Sequence, residues 1–87
     1  MTGLPPLRLT THLRDALAER ELPLEWVSRT IDDPELTEPD PLPHRWRHYR
    51  RIPEFGDRVL RVVVEVATDE RVVISVFFDR GAKRKLR

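Results

Sequence analysis

The chain has 87 residues, enough for one domain and too few for two. It contains no cysteine, which excludes a disulfide framework and a thiolate metal site. The net charge of +1 conceals an asymmetry: residues 1–40 hold four Lys/Arg against nine Asp/Glu, and residues 41–87 hold twelve against six, so the second half offers a positive field to an anionic partner.

A chain this short buries only about 60–65% of the surface it exposes when unfolded. Its stability margin is therefore thin, and either a monomer or a small homo-oligomer is expected. Residues 1–7 have no cationic start followed by an apolar stretch, so they do not read as a signal peptide. No apolar run is longer than three residues, as in Val62-Val63-Val64, far short of a membrane span. No membrane contact and a cytoplasmic location are the expectations.

Leu7, Leu9 and Thr11 alternate with Arg8 and Thr10, which predicts a short strand or extended arm. Thr10 or Thr11 then caps a helix over about residues 12–21, with Leu13, Ala16, Leu17 and Arg20 on one arc. Leu22-Pro23 breaks it, and the proline opens a second helix whose inward stripe is Trp26, Val27, Thr30 and Ile31. Residues 33–44, with four prolines and four acidic residues, predict a solvated connection. Charge alone would bring the acidic residues of 33–40 against the basic segment that follows and screen it. Residues 45–52 are predicted as a strand, 53–57 as a turn, 58–68 as the clearest strand and 71–78 as the last. Turns this short make those three strands antiparallel. The tail, residues 80–87, is basic and predicted to be loosely ordered. Helices followed by strands give an α+β fold, with the helices on one sheet face and the other left to water or a ligand.

The most informative stretch is His44-Arg45-Trp46-Arg47-His48-Tyr49-Arg50-Arg51. Phosphates call for fixed cations and unstacked bases for flat aromatic platforms. On a strand, Arg45, Arg47, Tyr49 and Arg51 face one way and Trp46, His48 and Arg50 the other. Two readings fit: contact with RNA, or an edge strand that its charges protect from aggregation. Arg80, Lys83 and Arg84 of the tail are either further phosphate contacts or a solvated terminus.

His12, at the start of the first helix, has the side chain whose unperturbed pKa lies nearest neutrality, suiting it to proton transfer or to a local hydrogen bond. Arg20 occupies an apolar arc, either to meet an anionic transition state or to snorkel at the helix end. His44 and His48 would stand about 13 Å apart on a strand, too far to share a metal. Neither a Gly-rich phosphate loop nor a nucleophile elbow is present, and no cofactor or metal is expected.

The run from Thr11-His12-Leu13-Arg14 through Glu19-Arg20-Glu21-Leu22-Pro23-Leu24-Glu25-Trp26-Val27 resembles the opening of the small bacterial domain-of-unknown-function 4258 family. In that family a His begins helix one, an Arg follows eight positions later and a second helix follows directly. The basic strand around residues 45–51 and the closing Val73-Ile74-Ser75-Val76-Phe77-Phe78 fit as well, so that the resemblance covers about residues 9–80. The family is similar to BrnT-type and RelE-type toxins, which implies two helices on a three- to four-stranded antiparallel sheet of RelE or barnase kind. It also implies a metal-independent endoribonuclease, the toxin of a pair whose acidic antitoxin would be its partner. Ala16, Glu21 and Phe77 depart from the family's usual Arg, Gly and Tyr.

The cleavage that follows would use the 2′-hydroxyl as nucleophile, hence RNA as substrate. His12 would transfer protons, with His48 competing for the role, and Arg20 and Arg61 would stabilise the phosphorane. Arg45, Arg47, Tyr49 and Arg51 would hold and stack the strand, with Trp46 and Arg50 beside them. The alternative is a non-catalytic module that binds RNA or an acidic antitoxin.

Overall fold

The computed structural model describes residues 5–86. Strand β1 (Leu7–Leu9) leads into α1 (Thr11–Glu19), capped by Thr10, whose hydroxyl accepts from the Leu13 amide at 3.1 Å. Helix α2 (Leu24–Asp32) starts after Pro23, which supplies the extended entry and no side-chain cap. Then come β2 (Leu36–Pro39), β3 (Arg45–Ile52), a 3-10 turn at Pro53–Phe55, β4 (Arg58–Val66) and β5 (Arg71–Phe78). A second 3-10 segment, Arg80–Lys85, follows.

The fold is α+β on one five-stranded mixed sheet in the order β1-β5-β4-β3-β2. The strands β2 to β5 pair antiparallel as expected, but β1 lies parallel to β5 at one edge, through Leu7↔Arg71 and Leu9↔Val73. The sheet thus exceeds the expected three or four antiparallel strands. Among the described residues, no helix is long and apolar enough to cross a membrane.

Leu13 and Leu17 of α1 and Val27 and Ile31 of α2 pack onto Ile52, Leu60, Val62 and Val64. The alternation in β4 therefore points the helix-facing residues as its sequence requires. Strand β5 breaks its own alternation: the register shifts between Val63 and Val64, so Val63 opposes Ser75 while Val64 opposes Val73. Ile74 is the extra residue of a bulge, which lets both Val73 and Val76 reach the helix-side core.

Two expectations are corrected. The segment expected to be a solvated connection contains β2, whose alternation of half-buried Leu36 and Glu38 with exposed Thr37 and Pro39 is that of an edge strand. Pro39, which has no N–H to donate, stands last in it, where an edge tolerates proline. The tail is also not loose through residue 86. Asp79 caps its 3-10 segment by accepting from the Gly81 and Ala82 amides, and Ala82 and Leu86 are buried against Tyr49 and Val59. The sheet face opposite the helices is therefore partly covered. Arg87 lies outside the described residues.

Candidate nucleic-acid interface

Each arginine of the basic strand β3 meets an acidic neighbour. Arg47 Nε donates to Asp40 Oδ1 at 2.8 Å, and Arg50 Nη1 donates to the Asp33 carbonyl at 2.8 Å, with the Asp33 carboxylate at 3.4 Å. The Glu35 carboxylate accepts from the Arg51 amide at 2.9 Å and stands 3.4 Å from its Nε. Arg45 Nε donates to Glu65 Oε1 across to β4 at 2.9 Å. The acidic segment thus does lie against the basic strand, with Leu36↔Tyr49 and Glu38↔Arg47 setting the register. Arg47 holds the Asp40 carboxyl below its ordinary pKa, and Lys85, with Tyr49, does the same for Glu38. These arginines are spent on folding, since each charge already has a counter-charge.

Tyr49 is a correction. Its ring is 0% exposed, its hydroxyl donates to Glu38 Oε1 at 3.1 Å, and the Lys85 ammonium lies 5.3 Å from its centroid. A ring without free surface cannot stack a base. Trp46 is exposed, but on the helix side and at the far end of β3 from Ile52. Arg84 is exposed on the tail segment.

The four residues suggested for chemistry do not converge. His12 is the second residue of α1 and Arg20 caps its end, about 12 Å of helix rise away. His48 is half-buried on the helix side, with Thr37 Oγ1 3.4 Å from its Nδ1; burial, then the charge of Arg71, push its pKa down. Arg61 is on the opposite face, stacked 4.1 Å over Phe77 with Nη1 3.3 Å from Asp79 Oδ2. Among the described residues no three His, Asp or Glu side chains gather as a metal ligand set.

A different set comes together where the α1–α2 junction, the β3–β4 turn and the end of β5 meet. Trp26, Phe55 and Phe78 form a ring cluster with centroids 4.9–6.4 Å apart. Arg58 lies over Phe55 at 4.8 Å. These rings, with Arg20, Glu21 and Leu22, line a hollow of about 250 Å³. Arg58 and Phe78 also wall a second hollow of about 360 Å³, completed by Asp79, Arg80 and Lys83. Among the described residues, Arg20, Arg58, Arg80 and Lys83 form no ion pair, in contrast to the arginines of β3. Arg20 is held in place by donating from Nη2 to the Val76 carbonyl at 2.7 Å.

Local sequence explains this geometry. The end of α1 is a Schellman turn: the Leu22 amide donates to Leu17 O at 2.9 Å and the Glu21 amide to Ala18 O at 3.0 Å. Leu22 is thereby drawn into the core beside Leu17, and Arg20 and Glu21 are left at the rim. Glu21 sits at φ 53°, the left-handed position that such turns normally give to glycine. At the opposite wall, Gly56 at φ 65° ends the 3-10 turn that carries Phe55.

Of the residues expected from the sequence, Arg20 lines the first hollow, and Arg80 and Lys83 line the second. Trp26, Phe55, Arg58 and Phe78 were not expected there. Trp26 was read as core, and Phe55 as part of a turn; the one available signal was an aromatic residue beside Gly56 in an otherwise polar turn.

Residues 9–78 match the family model described as Domain of unknown function (DUF4258). No curated protein and no solved structure matches the chain significantly. The match spans most of the chain, which therefore belongs to the DUF4258 family.

Proposed function

With that membership as the premise, we propose that this domain binds single-stranded RNA in the aromatic, cationic groove between α1, the β3–β4 turn and the tail, and that it does so without cutting it. One observation carries the reading: among the described residues, cations that form no ion pair stand beside aromatic rings, Arg20 and Arg58 in the hollow with Phe55, and Arg80 and Lys83 with Phe78 in the adjoining one. Phe55 is 41% exposed. Stacking on such rings is worth about 1–3 kcal/mol per base, and unpaired bases are what proteins most readily read in RNA. The four cations would displace condensed counterions from the RNA phosphates into solution, so affinity would fall as salt rises.

Cleavage requires a proton-transfer group within hydrogen-bond reach of the 2′-hydroxyl. Both histidines suggested for that role lie outside the lining of the groove, which supports binding over catalysis. The RelE- or barnase-like reading of the fold belongs to the same proposal. Two leading helices on antiparallel central strands support it, and the parallel β1 is an addition to it. The test is incubation with a labelled unstructured RNA in EDTA, followed by native and denaturing gels. A shifted but intact RNA is expected. RNA shortened by the wild type and spared by the His12→Ala/Arg20→Ala variant would replace this reading with the endoribonuclease.

A further inference from the structure

The groove divides its chemistry. One hollow offers rings together with Arg20 and Glu21, and the adjoining one offers Arg58, Arg80 and Lys83. A nucleotide divides the same way, into a flat base and a phosphate. Resting on the RNA reading above, we infer that the aromatic hollow selects guanine, read by Arg20 and Glu21.

The argument is one of matching donors and acceptors. Arg20 spends Nη2 on the Val76 carbonyl, and the rest of its guanidinium, with five N–H donors in all, remains to offer hydrogen bonds. Glu21, when ionised, only accepts. A base that satisfies both must present acceptors on one edge and donors on another. Guanine does, with O6 and N7 as acceptors and N1–H and the N2 amino group as donors. Uracil offers a single ring N–H, and adenine and cytosine each offer one amino group with no adjacent ring N–H. The base would lie against the exposed Phe55 ring, leaving its phosphate to the cationic hollow.

The backbone supplies an independent observation. Glu21 stands in the left-handed conformation at a Schellman turn, where glycine fits without strain. A non-glycine residue is uncommon there, and a side chain kept at a strained position is a pointer to function. Glu21 is one of the residues that line the hollow. Replacing it by glycine separates the two roles: the turn relaxes while the carboxylate disappears.

The experiment uses the full chain and four labelled pentanucleotides, UUXUU with X as G, A, C or U, titrated by fluorescence anisotropy. The G-containing oligomer is expected to bind about 10-fold more tightly than the others, the scale of one good bidentate base contact. Glu21→Gly is expected to remove that preference while still binding all four, and to unfold at a higher temperature than the wild type, which shows that the loss is not one of folding. Inosine in place of guanine, which lacks the N2 amino group, is expected to bind at an intermediate level. Equal affinity for the four oligomers in the wild type would overturn guanine selection and leave RNA binding standing, whereas a G preference that survives Glu21→Gly would overturn the reading of guanine by Glu21. Binding of none of them would overturn the RNA reading itself and leave the groove as a docking surface for a protein.

Discussion

Asp40 Oδ1 lies 2.8 Å from Arg47 Nε, and this contact closes the loop between β2 and β3. It is one of a series in which the acidic residues of the chain's first half neutralise the basic strand of its second. The consequence is that the most conspicuous cationic stretch in the sequence is not where an RNA is expected to bind. Arg47→Ala and Arg45→Ala should leave RNA affinity within about twofold. Arg58→Ala and Arg80→Ala should each reduce the slope of log affinity against log salt by roughly one, as expected for one lost phosphate contact. Anisotropy titrations at several salt concentrations separate the two classes.

Phe55 is the stacking ring with the most free surface in the groove. Phe55→Ala should lower affinity for single-stranded RNA about 5- to 150-fold, the equivalent of one stacked base. Because the ring is 41% exposed, its removal should change the urea midpoint less than a core truncation does.

Leu86 is 6% exposed and packs with Ala82 on Tyr49 and Val59, while Arg51 Nη2 donates to its carbonyl at 2.9 Å. Leu86→Ala should therefore destabilise the domain by about 2 kcal/mol, within the range for Leu→Ala. An unchanged urea midpoint would mean that the tail does not pack in solution.

The acid limb of stability follows from the paired carboxylates. The Glu54 carboxyl is pulled down to about 2, first by its hydrogen bonds from Arg29. Glu38, Asp40 and Glu70 are also lowered, chiefly by hydrogen bonds from Lys85, Arg47 and Arg8. Groups whose folded pKa is lowered contribute stability that is present above their ordinary values and is lost as pH falls toward the folded ones. His48, lowered by burial and then by Arg71, has the same sign, with its loss starting below its ordinary 6.5. Thermal stability should thus decline gently below pH 6.5 and steeply between about 4.5 and 2. In Glu54→Gln the steep limb should be shallower; a curve that matches the wild type would remove Glu54 from this explanation.

Much of the fold was legible because its signals are local. The cap at Thr10, the break at Leu22-Pro23, the stripe on α2 and the alternation in β4 each decide an element within a few residues. Strand β2 was not legible, because its prolines signal a loop and its reason to be a strand lies in β3: the carboxylates of Asp33, Glu35 and Asp40 need those arginines. The tail misled in the same way, since Ala82 and Leu86 look like isolated apolar residues until Tyr49 and Val59 are placed beneath them. For the site, charge density pointed to β3, yet net charge along a chain does not reveal which cations are neutralised in space. The aromatic cluster joins residues from α2, the β3–β4 turn and β5, so no window of sequence contains it.

The most direct measurement of the groove's role is an anisotropy titration of one unstructured labelled RNA against three proteins: the wild type, Phe55→Ala/Arg58→Ala and Arg45→Ala/Arg47→Ala. Saturable binding by the wild type, weakened at least about 10-fold in the groove variant and kept in the β3 variant, is the expected result. Loss of binding in the β3 variant with the groove variant unaffected would contradict the assignment and return the interface to the basic strand.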